Sequence, residues 1–352
     1  MGDLFKDRLN KSRLALKGEL KDKYKVSSDT AFLGFDAYKQ VIASDVDLVL
    51  LTTPAGFRPI HLKAAIEGGK HAFVEKPCAT DPVGVRSVLA SSALATEKKL
   101  AIVAGTQRRH QFGYVETVKR IHDGAIGGII WAETYWNQGA AWVIPRKPEW
   151  SDMEWQIRNW HYFTWIGGDH VVEQHVHNID IINWVMDAHP VRAFSSGGRE
   201  VRTAPEYGYI YDHFTTDFEY PNGVRVVSMC RQQEGTKGDV REFVQGIKGK
   251  ADPAASIDGP TAFKYKGPNP NPYVQEHADL IASIRAGRPL NEGRQIAEST
   301  LTAMMGRMSA YTGQEVTWDF AMNSKLDLFP PKLELGPLPV VEPAVPGKTK
   351  LI

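Results

Sequence analysis

The sequence predicts an α/β protein in two domains. The first is a doubly wound parallel sheet, and the second is built on an antiparallel sheet with helices. Three observations carry this. Short apolar runs of strand length alternate with helical stretches as far as His122. Past Ile129 the strands lengthen and follow one another, with a hairpin turn between two of them. The 352 residues are enough for two domains of ordinary size.

Taken in order, Asp3 is followed by a charged amphipathic stretch, Leu4 to Tyr24, that reads as helix. Val46 to Thr52 is an apolar run consistent with a strand buried on both faces, and it ends in Thr52-Thr53-Pro54. A helix from Pro59 to Glu67 stops at Gly68-Gly69. His71 to Val74 is a second strand, ending in Glu75-Lys76-Pro77, and Asp81 with Pro82 opens the next helix. Leu100 to Ala104 is a third strand, followed by Gly105-Thr106-Gln107-Arg108-Arg109 and a helix near Phe112–His122. In such sheets ligands sit outside the carboxyl ends of the strands. The three strand-end segments should therefore converge on one crevice. Arg108, Arg109 and His110 are expected to be solvated.

The pattern then changes. Ile129 to Trp136 is a strand, and residues 137–165 are irregular and rich in aromatic rings. Later strands are expected at Val191–Ser196, Tyr207–Tyr220, Val224–Arg231 and Val240–Gly246, with Pro221-Asn222-Gly223 turning one hairpin. Helices follow at Pro272–Ala286 and Gly293–Tyr311, and a proline-rich tail wraps the surface. This sets expected boundaries at 1–110, 111–325 and 326–352.

Composition excludes several classes. With 42% apolar and 24% charged residues the chain reads as soluble and globular. A net charge of +1 gives no electrostatic case for nucleic acid. Two cysteines, Cys78 and Cys230, make neither a disulfide framework nor a zinc cluster. No apolar run reaches the roughly 18 residues that cross a membrane. No signal peptide is visible as the sequence is written, so a cytoplasmic location is expected. Nine Trp and twelve Tyr are rather many. Rings such as Trp142 and Trp160 can stack on a sugar or fill a core. With Arg146, His161 and His170 they are the candidate substrate contacts.

The most informative stretch runs from Gly167 to Trp184. Two glycines and Asp169 read as a turn and a helix N-cap, and no proline follows until Pro190, which allows about five helical turns. Val171, Val172, Val176, Ile179, Ile182 and Met186 fall on one face. His170, Glu173, His177, Asp180 and Trp184 fall on the other, where a surface helix would carry Lys and Glu. Imidazoles and carboxylates in one stripe fit proton transfer, a metal site or a buried polar network. His175 lands among the apolar residues and is expected as a core histidine.

These features resemble the glucose–fructose oxidoreductase / inositol dehydrogenase / MocA (Gfo/Idh/MocA) family of NAD(P)-dependent oxidoreductases, from Asp3 to about Phe320. Glu75-Lys76-Pro77, the Gly105–Arg109 strand end and the helix motif carry the resemblance. The family usually places an Asp and, four residues on, a His in that helix; Glu173 and His177 stand there. The resemblance implies a Rossmann domain, an α/β domain with an open, mostly antiparallel sheet, and a homo-oligomer (dimer or tetramer). It implies hydride transfer between a nicotinamide cofactor and a hydroxyl-bearing carbon of a sugar, sugar derivative or cyclitol. It makes His177 the general acid/base, Glu173 its support, and Lys76 a substrate contact that helps the proton transfer. Thr52, Thr53, Pro54, Glu75, Lys76 and Gln107 then border the cofactor, with Asp3 at the acidic position for the adenosine ribose. NAD is expected, because Asp3 repels a 2′-phosphate, with NADP the alternative.

The family's first strand and Gly-rich turn, which brings a pyrophosphate to a helix N-terminus, are absent. On the resemblance Met1 begins inside the domain. A shortened start of a complete dehydrogenase is the favoured reading, because every downstream catalytic position is filled; the other is a remnant with poor cofactor affinity. A leader ahead of Met1 would hide an export signal. Other functions stay open: an NAD-dependent glycosidase on the same scaffold, and a non-redox sugar-binding protein. A metal held by His170, Glu173 and His177 is not expected, because the spacing is one residue off the inverted zincin motif.

Overall fold

The computed structural model describes residues 1–352. Its first part contains β1 (Gly2–Asp3), α1 (Lys6–Leu20), β2 (Phe32–Leu33), α2 (Ala37–Ala43), β3 (Leu48–Leu51), α3 (Arg58–Glu67), β4 (His71–Val74), α4 (Pro82–Glu97), β5 (Ile102–Ala104) and α5 (Phe112–His122). The strands β3, β4 and β5 pair in parallel, in that order. β1 pairs in parallel with β2 as a separate two-stranded ribbon. Ala72, Phe73, Val74, Ile102, Val103 and Ala104 are buried, as expected for strands covered on both faces, but β3 corrects that expectation: it is the edge strand, with Val49 and Leu51 buried and Leu50 56% exposed. Asp81 caps α4 by accepting from Gly84 N at 2.7 Å, and a proline stands at the first helical position.

The second part contains β6 (Ile129–Gln138), α6 (Asp152–Arg158), α7 (Thr164–Gly167), α8 (His170–Glu173), α9 (Val176–Met186), β7 (Arg192–Gly198), β8 (His213–Glu219), β9 (Arg225–Gln232), β10 (Asp239–Gly246), β11 (Lys250–Asp252), β12 (Ser256–Asp258), β13 (Phe263–Lys264), α10 (Pro272–Arg285), α11 (Gly293–Thr312), β14 (Val316–Thr317) and α12 (Trp318–Asn323). One nine-stranded sheet runs β13-β12-β11-β10-β6-β9-β8-β7-β14. All its pairs are antiparallel except β6 with β9. The β8–β9 hairpin turns at Gly223 with φ 77°, a conformation glycine adopts without steric cost.

Two further expectations need correction. The strand expected from Tyr207 begins only at His213, because residues 205–207 form a 3-10 turn that ends at Gly208 with φ 53°. The continuous helix expected after Asp169 is two helices. The His170 carbonyl accepts both from Gln174 N at 2.9 Å and from His175 N at 3.2 Å, which inserts a five-residue turn between α8 and α9. Such single wide turns recur at functional sites.

The end of the chain returns to the first sheet. Ile102 N donates to Leu290 O and Glu292 N donates to Ile102 O, so residues 290–292 add a short parallel rung beside β5. A core cluster of 47 buried residues runs from β3–β5 through α9 to α11 and the large sheet. Each large aliphatic side chain buried there, such as Ile179, Ile182 or Leu301, contributes about 1.5–3 kcal/mol. A second cluster joins Phe5 and Phe57 of the first part to Trp155, Tyr162, Phe163 and Trp165 of the second. Much of the aromatic wealth of residues 150–165 is therefore core. The tail lies along the surface, where Leu338 O accepts from Gln156 Nε2 at 2.6 Å and Ala344 O accepts from Tyr211 OH at 2.9 Å.

Candidate active site

Lys76 leaves the end of β4, and its Nζ donates to both the carbonyl and the carboxylate of Glu173, at 2.6 and 2.8 Å. The wide turn after Glu173 makes this double contact available. His177 N donates to Gln174 O at 3.3 Å rather than to the Glu173 carbonyl, which takes the Lys76 ammonium instead. Burial alone would raise the Glu173 carboxyl, but the Lys76 ammonium outweighs it, aided by His161 and Arg58, and holds the group ionised. Glu173 Oε2 is buried with no hydrogen-bond partner and lies 3.8 Å from His161 Nδ1.

His177 opens α9 beside this pair. Its ring stacks on Trp136 at 5.7 Å and 22° between planes, and its Nδ1 is buried without a partner. Burial first, then the Lys76 and Arg108 cations, push its pKa well below 6.5. His177 is a neutral imidazole at neutral pH, with a nitrogen free to exchange a proton. The structure thus brings Lys76, Glu173 and His177 together.

The strand ends converge around them. Thr53 Oγ1 lies 3.1 Å from His61 Nδ1, after the exposed Thr52 and beside Pro54. Glu75 Oε2 accepts from Lys76 N at 3.2 Å and lies so close to Gly105 that a Cβ there would meet it at 2.5 Å. Gln107 Nε2 donates to Tyr273 OH at 3.2 Å, and its Oε1 is buried and unpartnered. Asp3 stands at the end of β1, half-buried, and accepts from Phe5 N at 2.8 Å. Burial, the largest influence on its carboxyl, raises the pKa. The unpartnered Gln107 amide and the bare Glu75–Gly105 edge fit the nicotinamide end of a dinucleotide. Residues 1–352 contain no strand–glycine-turn–helix unit for its phosphates.

The candidate substrate contacts divide. His161 is buried, with Nε2 2.9 Å from Gln232 Oε1, and Trp142 is 45% exposed above it, with ring centroids 6.0 Å apart. Trp160 packs against Trp142 at 5.4 Å. Arg146 is held by Asp152 at 2.7 Å and braces its own loop. His170 is a correction to the stripe read from the sequence. It is fully buried, with its Nδ1 3.0 Å from Asp169 Oδ1 and its ring against Phe214, because the break after α8 rotates it into the core. His175 is a core histidine, its Nε2 2.7 Å from Ser228 Oγ. No group of three His, Cys, Asp or Glu side chains is arranged to hold a metal.

Arg108, Arg109 and His110 are also corrected, since none is solvated. Arg108 Nη1 donates to Glu242 Oε1 at 2.5 Å. Arg109 grips the Asp180 carboxylate at 2.7 and 2.9 Å, which removes Asp180 from the proton-transfer stripe. His110 contacts Asp279 at 2.7 Å and Glu292 at 3.2 Å. Sequence reading missed Arg58, buried at the start of α3, which donates to Pro77 O at 2.5 Å. Burial lowers its pKa to about 10 against the pull of Glu75 and Glu173. Nothing in the sequence around Arg58 marks it as buried.

A parallel α/β domain joined to an open, mostly antiparallel sheet, with a strand-end lysine meeting a carboxylate and a histidine from two successive helices, defines a class of protein. Two models of one family match the chain: "Oxidoreductase family, NAD-binding Rossmann fold" over residues 11–105, and "GFO/IDH/MocA C-terminal domain" over residues 114–252. The chain belongs to the Gfo/Idh/MocA family. It is 29% identical over 147 residues to the inositol 2-dehydrogenase/D-chiro-inositol 3-dehydrogenase of Halalkalibacterium halodurans, covering 42% of this chain and 36% of that protein. It is 30% identical over 185 residues to inositol 2-dehydrogenase 3 of Saccharopolyspora erythraea, covering 52% of this chain and 47% of that one. The matched stretch spans less than half the length of either relative. The aldose–aldose oxidoreductase of Caulobacter crescentus has the same fold, with a TM-score of 0.66 at 18% identity, over 86% of this chain and 88% of that one. No helix is long and apolar enough to cross a membrane.

Proposed function

We propose that the chain is an NAD-dependent dehydrogenase acting on a CH–OH carbon of a cyclitol, sugar or sugar derivative. The observation that carries this is the double grip of Glu173 on Lys76. An ammonium has three N–H donors. The Glu173 carbonyl and carboxylate take two. The third remains for the oxygen of a substrate carbinol, and the charge stays in place as alkoxide character develops.

His177 exchanges the hydroxyl proton. It is neutral, buried and unpartnered at Nδ1, which suits a general base. Glu173 holds Lys76 so that lysine and imidazole address one oxygen. A bound nicotinamide supplies the hydride acceptor or donor. Trp136 and Trp142 limit water around the reacting carbon. Asp3 favours NAD over NADP by repelling a 2′-phosphate. The family and the inositol dehydrogenases it contains support the substrate class. The open face of the nine-stranded sheet, with Phe194 52% exposed, suits a homo-oligomer.

The test is nicotinamide reduction by the purified chain with a panel of inositols and aldoses, compared with Lys76→Met and His177→Asn. Turnover lost in both variants supports the reading. No turnover with any substrate, or turnover insensitive to both changes, ends it.

A further inference from the structure

Arg202 is 4% exposed and has no carboxylate within ion-pair distance. Its Nη1 donates to Gln232 Oε1 at 2.9 Å, while its Nη2 is buried and has no partner. Gln232 Nε2 is likewise buried and unpartnered. A guanidinium cannot escape burial by losing its proton, so an unpaired one is expensive to bury. The other two buried guanidinium groups without ion pairs are compensated. Arg307 donates to the carbonyls of Gly168 and Thr80, both at 2.8 Å. Arg58 sits in the field of Glu75 and Glu173. The carboxylate that meets the Arg202 backbone N–H, Asp212, is already occupied. Its Oδ2 accepts the backbone N–H groups of Glu200, Val201 and Arg202, and its Oδ1 takes Gln233 and His213.

The place of this charge relates it to the active site. Gln232 Oε1 serves both Arg202 and His161 Nε2, and His161 Nδ1 faces the free oxygen of Glu173 at 3.8 Å. The half-buried Lys76 and the buried Glu173, His161, Gln232 and Arg202 form one line of side chains. The proton-transfer pair stands at one end and a cation without a carboxylate partner at the other. The guanidinium lies 5.8 and 5.6 Å from the ring centroids of Tyr162 and Tyr207, which leave it little freedom to swing away.

We propose that Arg202 and Gln232 form an anion subsite, and that the substrate is a carbohydrate bearing a carboxylate, such as a hexuronate. The inference rests on the dehydrogenase reading and specifies its substrate. One free Nη2 donor and one free amide donor match a planar, singly charged carboxylate. A phosphate dianion would call for more than one cationic donor. Residues 139–151 have no regular secondary structure and carry Trp142, 45% exposed, against His161. Desolvation makes the match selective, because a neutral sugar leaves the guanidinium unpaired.

The experiment is titration calorimetry of the full chain at physiological salt. The probes are glucuronate, galacturonate and mannuronate, each against its parent hexose and the hexose 6-phosphate. The expected result is binding of at least one acid on the order of 10- to 100-fold tighter than its parent. In Arg202→Gln that ratio collapses towards one, while Arg202→Lys keeps part of it. Equal binding of every acid and its parent, no binding of either, tighter binding of the phosphate, or a ratio unchanged in Arg202→Gln overturns the proposal. If Arg202→Gln fails to fold, the unmodified chain's ratio and Arg202→Lys decide. Nicotinamide reduction is read separately. Turnover of neutral substrates without preference for acids sinks this inference and leaves the dehydrogenase standing. Preferred binding of acids without any reduction does the reverse.

Discussion

The Lys76 ammonium holds Glu173 by two different groups, the backbone carbonyl at 2.6 Å and the carboxylate at 2.8 Å. A lysine held only by a carboxylate can pivot; one that also grips a carbonyl is tied to the helix itself. The two contacts have different dependences on the Glu173 side chain, and substitution separates them. Glu173→Gln keeps the carbonyl contact and should cost about 10- to 100-fold in turnover. Lys76→Met removes both and should cost about 10²- to 10⁴-fold. Steady-state rates with whichever inositol, aldose or hexuronate the chain turns over check the order; equal losses would deny the carbonyl its part.

The pH profile tests the imidazole. Burial, Lys76 and Arg108 all press the His177 pKa down. Activity that needs the neutral ring should fall only as pH drops well below 6.5. Removing the Lys76 cation relieves part of that pressure, so the acid limb of the residual activity in Lys76→Met should move upward. A limb that stays put, or moves down, would assign it to another group.

Cofactor choice tests Asp3. In Asp3→Ser the ratio of NADP to NAD usage should rise, because the carboxylate that repels a 2′-phosphate is gone. An unchanged ratio removes Asp3 from the cofactor site.

The cluster around His110 makes stability depend on alkaline pH. Burial alone would lower His110, but Glu292 and Asp279 outweigh it and raise the pKa to about 9. A histidine raised from 6.5 stabilises fully below 6.5 and loses that contribution as pH climbs through about 9. Glu276, pushed up to about 8 by burial and then by Glu75, acts in the same direction. His110→Asn should therefore be less stable than the parent at about pH 6, with the gap closing by about pH 9.5. Denaturant titrations at the two pH values measure it. A gap that widens with pH would contradict the assignment.

Gly56 tests the contact between the two parts of the chain. A Cβ there would meet Trp165 O at 2.5 Å and Ile166 Cα at 3.0 Å, both backbone atoms. Gly56→Ala should cost about 1–3 kcal/mol in unfolding free energy. It should also slow turnover, because Arg58, two residues on, donates to the Pro77 carbonyl next to Lys76. A neutral Gly56→Ala would mean that the two backbones separate readily there.

The fold was legible where local patterns decide it. β4 and β5, buried on both faces, write themselves as short apolar runs, and Asp81-Pro82 and Pro221-Asn222-Gly223 carry their own turn chemistry; β3 reads the same way although Leu50 is exposed. Lys76, Glu173 and His177 were legible because their spacing survives as a motif. What failed depends on partners far along the chain. Arg109 meets Asp180 71 residues away, and Arg108 meets Glu242 134 residues away; no periodicity announces such pairs. The break between α8 and α9 was invisible because apolar residues continue through it, and with it the inward turn of His170. Buried, unpaired guanidinium groups such as Arg202 leave no mark on a sequence at all.

The rung contributed by residues 290–292, with the Glu292 carboxylate accepting from Ala104 N 188 residues upstream, has a consequence for how the molecule comes into being. The edge of β5 stays unpaired on a growing polypeptide until translation has passed α10. The nucleotide crevice is therefore among the last features to mature, and an incomplete nascent chain carries Lys76 long before it has a finished floor on which to use it.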